Sequence, residues 1–297
     1  MCASGEPEMK DRVGLGWRPQ LAAGILANLD RIDIIEVIAD DYFDASCKQL
    51  RALRTLATQV PAVLHGVSLG MASSVRVEDC RLEKMARLVE IVEPEFWSEH
   101  LAFVRGNGLE IGHLAAPPRT AATIEGAAEK LAVAARVVGA APLVENVATL
   151  IDPPGSDRDE AAWVSSIISA SGCALLLDLH NLYCNAINFG LDPMKLLKCL
   201  PLESVRAVHL AGGKWVCTAT ARKGRLLDDH LHDVPDPVYK LLVEVGAFVP
   251  HSLTVILERD GRFPPFGSLL QEMERAREAL ARGRALQASG KRMEDVA

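Results

Sequence analysis

The feature that most constrains this chain is a pattern repeated eight times, in which a short, nearly unbroken apolar run precedes a longer stretch with helical spacing. The runs are VGLGW (13–17), DIIEVIA (33–39), AVLHGVSL (62–69), FWSEHLAF (96–103), PLVENV (142–147), CALLLDLHNL (173–182), VRAVHLAG (205–212) and SLTVILERD (252–260). Helical spacing follows them over 21–29, 44–59, 78–92, 121–138, 159–171, 193–199 and 235–246, and a long charged helix closes the chain. Continuous rather than alternating apolar runs suit a sheet covered on both faces. Strands alternating with helices of this length imply right-handed parallel βαβ units. Eight units in 297 residues predict an α/β fold, a single (β/α)₈ TIM barrel. Two stretches fall outside the pattern: a Gly/Pro-rich loop before residue 121 and a long irregular segment from 213 to 233. Neither marks a second domain, so residues 1–297 read as one unit, with flexible ends at 1–11 and 285–297.

In such a barrel the C-terminal ends of all strands open onto one mouth. That mouth should be crowded with polar groups. The third run ends in His65, the fourth in Glu99 and His100, and the fifth in Glu145 and Asn146. The sixth ends in Asp178, His180 and Asn181, the seventh in His209, and the eighth in Glu258. A lone histidine at a strand end is usually just hydrogen-bonded in place. A carboxylate after several apolar residues is harder to accommodate, because its charge needs a partner once buried. Six consecutive strands with this placement would gather carboxylates that repel one another unless cations neutralise them. Two or three metal ions are the simplest compensation. The loop LLDDHLHDVPD adds Asp228 and His230 as ligand candidates, beside Asp229, His232 and Asp233. His113 and His251 lie away from the strand ends and take no role.

Imidazole and carboxylate without thiolate suits iron, manganese or zinc. Glu145, on a central strand, is the natural bridge between ions, and Asn146 and Glu99 read as groups that orient ligand imidazoles. Residue types alone leave two enzyme readings open: an oxidase, or a zinc- or manganese-dependent hydrolase or sugar isomerase of the endonuclease IV or xylose isomerase type.

Composition narrows the classes further. A net charge of −7 gives no basic footprint for sequence-independent nucleic-acid binding. No apolar run reaches the ~18 residues of a membrane span. The opening MCASGEPEMK lacks an apolar signal core, so a cytoplasmic location is expected. Seven scattered cysteines with no CxxC pair argue against a disulfide framework, and Cys184 is the one nearest the expected site.

Six motifs in order, HGVSLG, SEHLAF, LLLDLHNLYCNAINFGLDP, HLAGG, LLDDHLHDVPDPVY and ILERDGRFPP, resemble those of the multinuclear non-heme iron-dependent oxidative enzymes. Enzymes of methanobactin and thiaglutamate biosynthesis belong to that family. The resemblance runs from GLGWRP at residue 14 to the final helix. It implies a sugar-isomerase-like barrel holding two or three iron ions, mixed valent, with O2 as co-substrate. It implies oxidation of cysteine, or another residue, in a ribosomally made precursor peptide presented by a small partner protein. Matched by motif, the metal ligands would be His65, His100, Glu145, Asp178, Asn181, His209, Asp228, His230 and Glu258, with Glu145, Asp178 and His209 at the catalytic centre. His232 matches a position of less defined role. Ile38 stands where a histidine is frequent, Asp40–Asp41 where Glu-Asn is, Gly213 where a histidine is, and His180 where asparagine is.

Overall fold

The computed structural model describes residues 10–217 and 224–290. The apolar runs become the strands of a closed barrel of eight parallel strands. In chain order the elements are β1 (Arg12–Gly16), α1 (Ala22–Leu26), β2 (Ile35–Ile38), α2 (Cys47–Ala57), β3 (Ala62–Gly66), α3 (Asp79–Val92), β4 (Trp97–His100), β5 (Phe103–Gly106), β6 (Leu109–Ala115) and α4 (Ala121–Val138). There follow β7 (Leu143–Glu145), α5 (Glu160–Ser171), β8 (Ala174–Asp178), α6 (Leu179–Phe189), α7 (Pro193–Lys198), β9 (Val205–Leu210), β10 (Gly213–Val216), β11 (Arg225–Asp228), α8 (Asp236–Phe248), β12 (Thr254–Leu257) and α9 (Phe266–Ser289). The barrel closes in the order β1, β12, β9, β8, β7, β4, β3, β2.

Side chains alternate along a strand, so residues two apart share a face. Inside this barrel that rule stacks two layers of opposite character. The lower layer is apolar: Ile34, Val63 and Ile256 form one buried group, Leu143, Leu176 and Ala207 another, and Phe96 packs against both. Two residues further along each strand stand Glu36, His65, Glu258, Glu145, Asp178 and His209, all buried. The main core lies outside the barrel, where Leu64, Leu175, Leu177 and Val208 meet the helices. Register then sets polar neighbours side by side, with His100 opposite Glu145 and Asp178 opposite His209.

The two stretches outside the repeat are hairpins. β5 pairs antiparallel with β6, and β10 with β11. The first turns at Asn107 and Gly108, both with positive φ (51° and 78°), which is the two-residue turn that Asn-Gly favours. The sixth run also ends earlier than its apolarity suggests. The strand stops at Asp178, whose side chain accepts from the Asn181 N–H at 2.6 Å and caps α6, so His180 and Asn181 belong to a buried helix.

The expected flexible ends fall partly on residues 1–9 and 291–297, outside those described. Asp11 accepts from the Leu253 N–H at 2.8 Å and pairs with Arg284 at 2.7 Å, and α9 continues to Ser289. No helix among the described residues is long and apolar enough to cross a membrane. The cysteines among the described residues are free.

Candidate metal centre

Three imidazoles and two glutamates meet at the bottom of the mouth. His65 Nδ1 lies 2.8 Å from Ser98 Oγ, which turns Nε2 toward Glu145 Oε2 at 3.4 Å. His100 is set likewise: Nδ1 is 3.2 Å from the Gly66 carbonyl, and Nε2 is 3.4 Å from the same Glu145 oxygen. The other Glu145 oxygen lies 3.3 Å from His209 Nδ1, and Glu258 Oε2 lies 3.0 Å from that nitrogen. Glu145 thus stands between three imidazoles.

Asp178 and Asn181 form the side of the site. The Asn146 amide donates to the Asp178 carbonyl at 3.0 Å, and its oxygen accepts from the Asp178 N–H at 2.9 Å. Asn146 therefore clamps the ends of β7 and β8 together and does not orient an imidazole. Asn181 Nδ2 donates to the Asn146 carbonyl at 3.0 Å, which leaves Asn181 Oδ1 free to face the site. Glu99 accepts from the backbone N–H groups of His100 (2.9 Å) and Leu69 (3.1 Å), and it lies 3.8 Å from His100 Nδ1.

The upper edge comes from β11 and the turn after it. Asp228 Oδ2 is 2.8 Å from His230 Nε2, while Asp228 Oδ1 is 2.5 Å from His180 Nδ1. His230 Nδ1 lies 3.2 Å from Asp260 and 3.5 Å from Glu258 Oε2, which joins this edge to the deeper cluster. Arg18 donates to the far side of Asp260 at 2.5 Å and 3.0 Å. Gly213 explains how a buried His180 fits here: a Cβ on residue 213 would sit 2.7 Å from His180 Cε1 and 2.1 Å from the Leu227 carbonyl. His232 turns away and bonds Asp229 at 2.9 Å.

Imidazoles and carboxylates in the site shift one another's protonation strongly. Burial alone would lower His100, but Glu145 and Glu99 outweigh it and hold the imidazole up at about 9. His209 and His230 are also raised despite burial, by Glu258 and Glu36 in one case and by Asp228 and Glu258 in the other. Burial pushes Glu145 and Glu258 up, yet the surrounding imidazoles hold both below the usual carboxylate range. Asp178 moves the other way, raised by burial and by the nearby Asp228 and Glu145 charges. Burial and the Asp228 charge likewise push the Cys184 thiol up.

Six buried donor atoms lack a hydrogen-bond partner among the described residues: Glu145 Oε2, Asp178 Oδ2, Asn181 Oδ1, His209 Nδ1, His230 Nε2 and Glu258 Oε2. Buried polar atoms are rarely left so. Metal bonds of ~2.1 Å put neighbouring donors ~3 Å apart in an octahedral shell, and the contacts among the expected ligand atoms run from 2.8 to 3.5 Å. Two overlapping groups can each hold an ion: His65, His100 and Glu145, and Glu145, Asp178, His209 and Glu258. The residues fit a metal cluster with N and O donors.

All nine expected ligands converge on this mouth. Glu36 was not among them, although its position two residues after Ile34, in phase with the inward layer, is a readable signal. The departures at 38 and 40–41 lie to one side: Ile38 lines a surface cavity with Trp17 and Tyr42, and Asp40 accepts from the Val67 N–H at 2.9 Å. Above the cluster opens a cavity of about 470 Å³. Its walls are mostly apolar, from Leu114, Ala116, Val147, Leu150, Ile151 and Leu226, and its floor carries His100, Asn181, Asp228 and His230. His113, given no role from sequence, also lines it, from hairpin β5–β6.

A family model described as the RiPP precursor modification enzyme MbnB/TglH/ChrH matches residues 12–281. The chain belongs to this family. Members of the MbnB/TglH/ChrH family act on ribosomally made, post-translationally modified peptide precursors, as the description states. Among curated relatives, the chain is 35% identical to a UPF0276 protein of Streptomyces avermitilis over 274 residues, which is 90% of this chain and 54% of that protein. It therefore spans about half the length of that relative. It is 30% identical to a UPF0276 protein of Caulobacter vibrioides over 278 residues, 92% of this chain and 96% of that one. Solved structures of similar fold include an L-ribulose 3-epimerase (TM-score 0.61, 12% identity, covering 95% of this chain and 99% of that one). Endonuclease IV of Thermus thermophilus is also similar (TM-score 0.57, 16% identity, 91% of this chain and 99% of that one). At such identities the likeness is one of fold, the xylose isomerase-like TIM barrel.

Proposed function

We propose that this member of the MbnB/TglH/ChrH family is a multinuclear iron-dependent, O2-using oxidase that modifies cysteine, or another residue, of a ribosomally made precursor peptide. The observation that carries the reading is a set of unpartnered N and O donors beneath an apolar cleft, in a chain of a peptide-modifying family. His65, His100, Glu145, Asp178, Asn181, His209, Asp228, His230 and Glu258 would hold two or three ions, with Glu145, Asp178 and His209 nearest the chemistry. When bound, iron supplies one-electron redox chemistry and a binding position for dioxygen and thiolate.

The chain's own residues prepare that site. The layer of Ile34, Val63, Leu143, Leu176, Ala207 and Ile256 seals its underside against water. Ser98 and the Gly66 carbonyl fix the rings of His65 and His100. Apolar walls at Leu114, Val147, Leu150 and Leu226 exclude water from a bound peptide segment and strengthen the electrostatics beneath it. Asp228 and Glu258, both held ionised by the imidazoles beside them, would offer charged oxygens to the ions. A small partner protein would present the peptide at the rim.

The test uses the purified chain, loaded anaerobically with ferrous iron, and a cysteine-containing precursor peptide encoded beside it, with and without any small protein encoded there. Air should produce an oxygen-dependent mass change on a cysteine-bearing fragment. An unchanged peptide under all these conditions, together with zinc or manganese as the sole tightly held metal, would replace this reading by the hydrolase or isomerase one.

A further inference from the structure

We propose that Glu36 is a positioning residue of the metal centre: it fixes the His209 ring so that Nδ1, and not Nε2, is the nitrogen offered to metal. The inference rests on the metal-centre reading above, but not on iron or on oxidation.

His209 is wholly buried between two sets of carboxylates. On one side Glu36 Oε2 lies 2.8 Å from Nε2. On the other, Nδ1 lies 3.0 Å from Glu258 and 3.3 Å from Glu145, without an aligned hydrogen bond to either. A neutral imidazole has one proton for two nitrogens. The surroundings decide which nitrogen keeps it. Glu145 and Glu258 belong to a four-residue group able to share a cation, so their lone pairs have another partner once metal is bound. Glu36 lies outside that four-residue group: its second oxygen, Oε1, is buried without a hydrogen bond, and the His209 ring is the one aligned donor that reaches the carboxylate among the described residues. Proton on Nε2 satisfies Glu36, and the Nδ1 lone pair is left for metal.

The contacts at the two ring nitrogens support this division. Glu36 sits on β2, on the far side of the His209 ring from Glu145 and Glu258. A carboxylate behind a ligand imidazole raises its basicity and orients the ring, and such partners typically carry a 10–100-fold effect on metal affinity. The rival is that Glu36 is itself a ligand, since it also groups with His65 and His209 at metal-binding spacing.

Zinc as the probe separates the two, with the full chain labelled with ¹⁵N-histidine. Long-range ¹H–¹⁵N spectra of the zinc-loaded protein should show the His209 proton on Nε2 and metal on Nδ1. Glu36→Gln, which keeps an acceptor oxygen, should hold the wild-type number of zinc ions with affinity lowered about 10-fold or less, and Glu36→Ala should lower it about 10–100-fold. A proton on Nδ1, or loss of a whole zinc equivalent in Glu36→Gln, would overturn the inference, as would failure of the wild type to bind zinc at all. The wild-type spectrum needs no variant to fold. If zinc binds in the expected tautomer while iron-loaded protein leaves peptides unchanged, the oxidase reading fails and the role of Glu36 stands.

Discussion

The candidate ligands on the barrel strands and those at the end of β11 and in the turn after it face one mouth from different supports. His65, Glu145, Asp178, His209 and Glu258 are between 0% and 4% exposed and stand on parallel strands whose register fixes their spacing. Asp228 and His230 are 14% and 16% exposed at the side chain and come from a hairpin end and the turn behind it. His230 also adopts positive φ (54°), a left-handed backbone that a non-glycine residue holds only when its surroundings demand it. The deep half is held by the hydrogen-bonded register of the barrel strands. The upper half borders the cleft and depends on a network, His180–Asp228–His230–Asp260, for its shape.

The comparison is broken most directly at Glu145. Glu145→Ala removes the carboxylate shared by His65, His100 and His209, and metal content measured by mass spectrometry should fall to near zero. Full loading of that variant would refute its bridging place. Asp228→Ala strikes only the upper half. It should lower metal content by about one ion per chain and leave the deep ions in place; loss of all metal would mean that the halves are not separable.

Proton competition gives a smaller, graded effect. His100 is held up at about 9 without metal, and His209 and His230 are raised too. Metal must displace those protons, so zinc affinity should rise by up to about tenfold per pH unit for each proton released between pH 6.5 and 9. Calorimetry in buffers of different ionisation heat counts the protons. A flat profile would show that the imidazoles are already neutral. Stability of the metal-free chain should run the opposite way. A folded-state value raised above 6.5 contributes stability that is full below pH 6.5 and is lost as pH climbs through about 9. Thermal melts of metal-free protein across that range check the sign.

Glu99→Ala should have the smallest effect on metal. Its carboxylate mainly satisfies the His100 and Leu69 N–H groups, so the change should cost about 1–3 kcal/mol of stability and weaken loading only modestly. Loss of a full ion would make Glu99 a ligand.

Much of this site can be read without coordinates, because a parallel barrel converts strand ends into neighbours. His65, His100, Glu145, His209 and Glu258 each stand at the end of a strand or one residue from it, and the fold does the rest. Glu36 escapes that logic, since Val37 and Ile38 continue its run past the polar residue. Only the period-two phase shared with Ile34 betrays it. The helical start of α6 is masked for a related reason: a buried helix following a buried strand keeps the run apolar, and periodicity cannot divide the two. There Asp178 as a cap is the available mark. Hairpin β5–β6 is short and largely exposed, with little apolar pattern, though Asn107–Gly108 signals its turn. The identity of the metal is written in neither sequence nor geometry, because the same nitrogen and oxygen donors serve iron, manganese and zinc.

Metal analysis of the wild-type chain, purified anaerobically and offered ferrous iron, manganese and zinc in competition, is therefore the most direct test of the central claim. The account predicts about two to three iron ions per chain, with an absorption spectrum that changes on exposure to air. Fewer than one ion per chain, or zinc or manganese filling the site while iron is refused, would contradict it.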